Sequence, residues 1–210
     1  QEKQSLIEFF NIINEIKPSI IGGYNSFNFD WYWIIERCKA LGIDMKKVCR
    51  SLHPQHSYTQ KKNILKLANE VEDYQQLSIW GYNVIDIIHS VRRAQAINSS
   101  IKSAGLKYIT QYIEAEDADR VYINHENIGK MYALKEEYWH NTKNGEYRKA
   151  SEYADLDKKF PGVYEKITGD KLVEKYLDDD LEETLRVDHE FNQASFLLAS
   201  MIPTTYERVS

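Results

Sequence analysis

Two carboxylates in this sequence lie where they could act on a bound ligand. The first, Asp30, follows a short apolar run that ends in two glycines, Ile20–Gly23, and precedes a helical pattern that begins at Trp31. An Asp at such a junction can cap the helix by accepting its first amide protons. It can also face a ligand, because open α/β sheets bind ligands at the carboxyl ends of their strands. The second carboxylate, Asp180, follows Tyr176 by four residues in another helical pattern, so the two side chains share one helix face.

The two stretches together resemble the second and third exonuclease motifs of family B DNA polymerases. The second motif is an Asn, a short spacer, an aromatic residue and an Asp, which are Asn25, Phe29 and Asp30 in this sequence. The third motif is a Tyr, three residues and an Asp, which are Tyr176 and Asp180. The resemblance implies an α/β domain of the ribonuclease H-like exonuclease fold, with a mixed sheet flanked by helices, in a DNA-directed DNA polymerase.

The implied reaction is 3′→5′ hydrolysis of phosphodiester bonds at a single-stranded 3′ end, by which a polymerase proofreads its primer-template DNA. Such hydrolysis needs an activated water and a stabilised leaving oxygen, which two divalent cations can supply, and Mg²⁺ and Mn²⁺ prefer carboxylate ligands. By resemblance, Asp180 holds the metal that binds the nucleophilic water, Tyr176 orients that water, and Asp30 holds the second metal. Asn25 and Phe29 help to position the 3′ end of the strand.

Phe27 and Asp86 each have a structural and a functional interpretation on sequence alone. Phe27 lies in the loop before Asp30, where its ring could stack on a base of the DNA or fill the core. Asp86 lies in an aromatic and β-branched run, residues 79–88, which predicts a strand. We expect Asp86 to be structural, because the motif assigns the metal ligand to Asp30.

One part of the family pattern has no equivalent in this sequence. The first exonuclease motif is an Asp-x-Glu on an earlier strand, but the acidic residues before Asp30 are Glu2, Glu8 and Glu15, which follow a helical pattern. We therefore expect a partial domain that lacks its first strands and that is weak or inactive by itself. Three alternatives remain open: a non-catalytic domain of the same fold that binds a single strand or braces the polymerase, a stand-alone nuclease, and an unrelated helical domain.

Composition limits the class of protein. Hydrophobic residues make up 42% of the 210 residues, which is typical of a globular domain. The formal net charge of -5 argues against a broadly basic nucleic-acid surface, but it leaves room for an acidic site that binds DNA through cations. Two cysteines without metal-ligand spacing favour a reducing, cytoplasmic setting, in the host cell if the source is viral. No apolar run approaches ~18 residues, so we expect no membrane-spanning helix.

The remaining segments are predicted to position the motifs. Helical patterns predict helices at 3–16, 31–41, 88–97, 125–139, 171–192 and 196–208, the last broken by Pro203. By resemblance to the family, a short helix is expected at 103–113. We treat 1–210 as one partial domain with insertions at 44–78 and 146–170, and with 193–210 leading towards the polymerase portion. Residues 44–78 are predicted to be a solvated loop or small insertion, although their basic residues could touch phosphates, and His53 and His56 lack a zinc pattern.

Overall fold

The computed structural model describes residues 1–52, 57–67 and 71–209, so His53 and His56 lie outside the described residues. Its helices are α1 (Glu2–Ile16), α2 (Asp30–Ala40), α3 (Met45–Leu52), α4 (Ile88–Ile97), α5 (Leu106–Tyr112), α6 (His125–Leu134), α7 (Leu156–Lys159), α8 (Gly169–Phe191), α9 (Gln193–Met201) and α10 (Tyr206–Val209). Its strands are β1 (Ile20–Gly23), β2 (Tyr58–Lys66), β3 (Val71–Ile79), β4 (Asn83–Asp86), β5 (Glu137–Asn141), β6 (Tyr147–Lys149) and β7 (Tyr164–Thr168). These elements form two compact units: Gln1–Gly105 with Val187–Ser210, and Leu106–Arg186.

A parallel pair of strands organises the first unit. β1 pairs with β4 in a register that sets Gly23 opposite Asp86. Parallel strands cannot be joined by a tight hairpin and need a crossover connection, and the chain between them contains α2, α3, β2 and β3. Because the strands are parallel, the loop that follows β1 begins at the same edge where β4 ends. The register therefore places Asp86 beside the predicted second motif.

The core of the first unit is built from apolar helix faces and from β3 and β4. α1 and α2 each contribute residues spaced at three or four positions, as expected for amphipathic helices. The buried members of this core on named elements are Leu6, Phe10, Ile13, Trp31, Ile35, Cys38, Met45, Cys49, Leu77, Ile79 and Val84. The helix predicted at 3–16 is confirmed, and it ends where Lys17 adopts the left-handed conformation (φ 50°) just before Pro18.

Of the two alternatives for segment 44–78, the solvated loop is wrong for its described part, while the small insertion stays a prediction. The segment contains α3 and an antiparallel hairpin in which Tyr58 pairs with Ile79 and Lys66 with Val71. β2 was missed because seven of its nine residues are exposed and it shows no apolar alternation. The hairpin packs on the core of the first unit through β3, where Leu77 and Ile79 are almost fully buried.

The run 79–88 is also not a single strand. Ile79 ends β3, and β4 begins only at Asn83. Gly81 has a φ of 96°, a conformation that favours glycine, and the chain turns there. The aromatic and β-branched composition indicated strand correctly, but Gly81 marks a turn between two strands. The helix predicted at 88–97 is confirmed as α4.

The second unit contains a three-stranded antiparallel sheet in the order β6-β5-β7. The predicted helix 125–139 is too long, because α6 ends at Leu134 and residues 137–141 form β5. Lys135 adopts the left-handed conformation (φ 51°) and ends the helix. The core of the second unit combines β5, α6 and α8, which contribute Tyr138, Met131 and Leu172 respectively. Part of the predicted insertion 146–170 therefore forms the sheet.

The closing helix predicted at 171–192 is confirmed as α8, a helix of 23 residues that begins at Gly169. The break predicted at Pro203 in the tail helix is confirmed, since α9 ends at Met201, before Pro203, and α10 begins at Tyr206. Among the residues that the structure describes, no helix is both long and apolar enough to cross a membrane.

Candidate active site

The loop after β1 is fixed by the carboxylate of Asp86. This carboxylate accepts hydrogen bonds from the backbone N–H of Asn25 (2.7 Å) and of Phe27 (2.8 Å), and a longer one from Ile88 (3.4 Å). Asn25 adopts a left-handed conformation with φ 58°, which Asn tolerates better than most residues. Asp86 is 2% exposed, and burial raises its pKa to about 6, although its three backbone hydrogen bonds oppose the rise. The structural role expected of Asp86 thus has a defined geometry.

Asp30 is the first residue of α2 and does not cap it. The N-cap position belongs to Phe29, and no side chain makes a capping hydrogen bond there. Asp30 itself is exposed, and partial desolvation of its carboxyl group raises its pKa. A negative charge in the first helical turn is favourable because of the helix dipole. The structure thus presents this carboxylate to solvent at the carboxyl end of β1.

The aromatic residues of the loop point to two different environments. Phe29 is 69% exposed, beside Asp30. Phe27 is only 3% exposed and stacks on Tyr74, with 5.9 Å between ring centroids and 12° between ring planes. Its burial therefore contradicts the predicted stacking of Phe27 on DNA. Of the two alternatives, Phe27 is the core residue. Phe29 and Asn25 remain accessible.

The third motif lies in the second unit, where Tyr176 and Asp180 share one face of α8. Burial, followed by the charge of Asp180, raises the pKa of the Tyr176 phenol. Tyr176 is 4% exposed, whereas the Asp180 side chain is 29% exposed. The structure thus brings Tyr176 and Asp180 together in one unit, while Asn25, Phe29 and Asp30 are together in the other.

Arg120 is a residue of this site that sequence reasoning missed. Its Nη2 donates to Oδ1 of Asp180, its Nε donates to Oε1 of Glu183 at 2.7 Å, and its guanidinium lies 5.1 Å from the ring centroid of Tyr176. The Arg120 side chain is 2% exposed. One signal could have found it: an isolated Arg before the apolar Val121, together with acidic residues on α8 that need a cation.

The charges around Arg120 are only partly balanced. Asp179 lies 3.5 Å from Nη1 of Arg120 and also accepts from the backbone N–H of Val121 at 3.0 Å. Burial lowers the pKa of Arg120, but Glu183, Asp180 and Asp179 more than offset this and leave it above its ordinary value. Burial raises the pKa of Glu183 against the effect of Arg120. Within the described residues, Oε2 of Glu183 is buried without a hydrogen-bond partner.

A comparison with protein families shows which family the chain belongs to. The family model described as DNA polymerase family B, exonuclease domain, matches residues 1–109, which is more than half of the chain. The chain belongs to the family B DNA polymerase exonuclease domains. The matched range contains Asn25, Phe29, Asp30 and Asp86, and the α/β architecture agrees with the ribonuclease H-like fold expected from the sequence.

Known polymerases are similar over parts of this exonuclease-family chain. DNA polymerase 2 of Aeropyrum pernix is 35% identical over 54 residues, 26% of this chain and 7% of the relative. The catalytic subunit of DNA polymerase delta from Arabidopsis thaliana is 23% identical over 146 residues, 65% of this chain and 13% of the relative. The catalytic subunit of DNA polymerase epsilon from Aspergillus fumigatus is 48% identical over 46 residues, 21% of this chain and 2% of the relative. The chain thus spans between 2% and 13% of these relatives.

Exonuclease domains of this family depend on metal ions in general. Two carboxylates of this chain are of the chemical type that binds such ions. Asp30 and Asp180 offer carboxylate oxygens that are not fully buried, the donor type that Mg²⁺ and Mn²⁺ prefer. Asp180 shares Oδ1 with Arg120, which leaves Oδ2 for another partner. A two-metal site needs more ligands than these two carboxylates. The described part of the chain contains no group of three or more His, Cys, Asp or Glu that could hold a metal ion.

Proposed function

We propose that this domain performs 3′→5′ hydrolysis at a single-stranded 3′ end, as the proofreading part of a DNA polymerase. The observation that carries the proposal is the loop held by Asp86, which exposes Phe29 and Asp30 side by side at the carboxyl end of β1. An exposed aromatic ring can stack on an unpaired base, and the adjacent carboxylate can hold a cation near the last phosphodiester bond. Single-stranded DNA and the polymerase portion are the partners that this proposal requires.

In this proposal Asp30 and Asp180 hold Mg²⁺ or Mn²⁺. When bound, the two cations activate the attacking water and stabilise the leaving oxygen. The residues of the chain have separate tasks: Asn25 and Phe29 bind the strand end, and Tyr176 orients the water next to Asp180. Asp86 keeps the loop in its binding conformation.

Arg120 has a positioning task in the same proposal. Its guanidinium donates to one oxygen of Asp180 and packs against the ring of Tyr176, so it fixes both groups relative to α8. A hydrogen bond to a ligating carboxylate fixes its orientation. We therefore assign Arg120 to the orientation of Asp180, with no direct contact to the DNA.

We further propose that the 210-residue chain alone hydrolyses DNA weakly or not at all. Two-metal hydrolysis uses several converging oxygen ligands, whereas the described residues bring no three candidate ligands together. The buried thiols of Cys38 and Cys49 are free, which suits a reducing compartment, and on that ground we assign the protein to the cytoplasm, that of the host cell if the source is viral.

One observation favours a second function, a domain of the same fold that binds a single strand without cutting it. The Asp180 carboxylate is already paired with the buried cation of Arg120, and a carboxylate neutralised in this way attracts a metal ion less strongly. In this alternative the acidic face of α8 is a structural ion-pair network, and Asn25 and Phe29 still bind DNA.

The two functions can be separated by digestion of a single strand labelled at its 5′ end, in the presence of Mg²⁺ or Mn²⁺ and in the presence of a chelator. The full-length protein that contains this chain is compared with the 210-residue chain, and Asp178→Ala, an exposed position on α8, serves as the control variant. The exonuclease proposal expects metal-dependent shortening from the 3′ end by the full-length protein and by Asp178→Ala. Binding without shortening by the full-length protein would favour the second function.

A further inference from the structure

A cleft in the second unit has the side chains of a small nucleotide site. Its volume is about 380 Å³, within the range typical of small-molecule sites. One face of α6, the strand β6 and the loop after β6 line it, and we call it the α6–β6 cleft. It lies beyond residues 1–109, the range that the family model matches. Neither the family match nor the proposed reaction assigns a role to this cleft.

The floor of the α6–β6 cleft is apolar and aromatic. Met131 and Leu134 of α6 are three positions apart, so they share one face of the helix. Met131 and Tyr138 are each only 5% exposed and belong to the core of the second unit. The ring of Tyr147 packs edge-on against Tyr138, with 5.8 Å between ring centroids and 78° between ring planes. The core therefore holds the floor in place, and the floor offers a preformed apolar surface to a flat ring.

Tyr153 gives the rim of the cleft an accessible aromatic ring. It is 39% exposed, and the guanidinium of Arg148 lies 5.2 Å from its ring centroid. The backbone of Tyr153 is anchored to the sheet, because its carbonyl oxygen accepts a hydrogen bond from Nε1 of Trp139 at 2.9 Å. A Tyr ring with a cation beside it suits a nucleotide, because the ring can stack on the base and the cation can face the phosphate.

The cleft carries more positive than negative charge, in a chain whose net charge is -5. Three cations, Lys130, Arg148 and Lys149, line it together with two carboxylates, Glu136 and Glu152. Lys149 and Glu136 are paired at 2.8 Å, so their charges balance each other. Lys130 and Arg148 therefore give the cleft its excess of positive charge.

These two cations are available to an anion. Lys130 is exposed on α6, and it makes no ion pair within the part of the chain that the structure describes. Arg148 lies 3.9 Å from Glu146, but both side chains are largely exposed, so this pair is weak. A phosphate monoester, which carries about two negative charges near neutral pH, would balance the two cations and contact both α6 and β6.

We propose that the α6–β6 cleft binds a nucleoside monophosphate, with its base stacked on Tyr153 and its phosphate held by Lys130 and Arg148. The amide of Asn127, exposed on the same face of α6, is in place to hydrogen-bond the base or the sugar. Hydrolysis at a 3′ end releases this class of molecule, so the supply of the ligand rests on the proposed function, whereas the binding itself does not. None of the motif residues lines this second site.

The test is isothermal titration calorimetry of the 210-residue chain with deoxyadenosine 5′-monophosphate, in the presence of a chelator so that neither a metal ion nor hydrolysis contributes. Tyr153→Ala is expected to weaken binding by about 5- to 100-fold, the range for the loss of one base–aromatic stack, whereas Tyr153→Phe keeps most of the affinity. Lys130→Ala should weaken binding by about 10- to 100-fold, as for the loss of a hydrogen bond to a charged group. Tyr132→Ala and Lys143→Ala are the matched controls, because both residues are exposed in the same unit and do not line the cleft.

Failure of the unsubstituted chain to bind the nucleotide would overturn the proposal. Unchanged affinity in both Tyr153→Ala and Lys130→Ala would also overturn it, and thermal unfolding shows whether each variant keeps its fold. Deoxyadenosine and inorganic phosphate should each bind more weakly than the nucleotide. Inorganic phosphate that binds equally well would show an anion site instead, and an oligothymidylate that displaces the nucleotide more strongly than deoxyadenosine does would show a strand site. Digestion of DNA by the full-length protein is a separate measurement, so the exonuclease proposal can fail while the binding result stands.

Discussion

Replacement of Asp86 by Asn should change the pH dependence of stability. Asp86 is buried, and its pKa in the folded chain is about 6, compared with an ordinary value of 3.8. The folded state therefore binds a proton more readily than the unfolded state does. The contribution of this group to stability is fully present below about pH 4 and is lost as the pH rises through about 6. The shift of roughly two pKa units corresponds to about 3 kcal/mol.

The Asn side chain has nearly the same shape and does not ionise, so this loss should be absent from the variant. We expect the stability difference between Asp86→Asn and the unsubstituted chain to move in favour of the variant by about 2–3 kcal/mol between about pH 4 and about pH 7.5. Urea unfolding, followed by tryptophan fluorescence across this pH range, measures the difference directly. A difference that stays constant within about 1 kcal/mol would refute the assignment of a buried, reluctantly ionised carboxylate.

Asp86→Ala is the matched comparison. It also removes the titration, but it leaves the backbone N–H groups of Asn25 and Phe27 without their acceptor. An unsatisfied buried donor costs about 1–3 kcal/mol. The Asn amide keeps one of the two acceptor oxygens, because Asn25 and Phe27 donate to different oxygens of Asp86. The Ala variant should therefore be about 1–3 kcal/mol less stable than the Asn variant at every pH. Equal stability of the two variants would show that the loop does not depend on these hydrogen bonds.

Two other substitutions test the packing of the second unit. Arg120→Met should destabilise the chain by about 3–5 kcal/mol, because it leaves Glu183 buried without its partner. Thermal unfolding measures this loss. The double variant Arg120→Met with Glu183→Leu should recover much of the lost stability. Gly145→Ala should be far more destabilising than Gly42→Ala in the same assay. Both glycines have positive φ, so the backbone strain is similar. An added Cβ at Gly145 would lie 2.0 Å from the Arg120 carbonyl oxygen, whereas an added Cβ at Gly42 would meet nothing within 4 Å. Similar losses for the two glycine variants would contradict this difference.

The sequence was informative where a feature depends on neighbouring residues. Asn25, Phe29 and Asp30 lie within six positions, and the strand, loop and helix around them have local signals: an apolar run, two glycines and a regular apolar repeat. The same holds for Tyr176 and Asp180, which one helix brings to the same face. Those elements are all present in the structure.

Features that depend on distant residues could not be predicted in the same way. Arg120 meets Glu183 across 63 positions, and Asp86 meets Asn25 across 61, so no local pattern contains either pair. Two interpretations of Phe27 stayed open on the sequence, because the rings that lie against it, Tyr74 and His89, come from other elements. The strand β2 has an exposed, polar sequence, and its pairing with β3 supplies the order that its own residues do not indicate.

The most direct test of the central proposal is a double-substitution cycle on strand digestion by the full-length protein, with Asp30→Ala, Asp180→Ala and both together. Residues that serve one metal-dependent step are strongly non-additive, because the loss of either one already removes that step. We expect each single substitution to abolish metal-dependent shortening and the double substitution to be no worse than either. Losses that simply add, or digestion that survives either substitution, would contradict a shared catalytic role for Asp30 and Asp180.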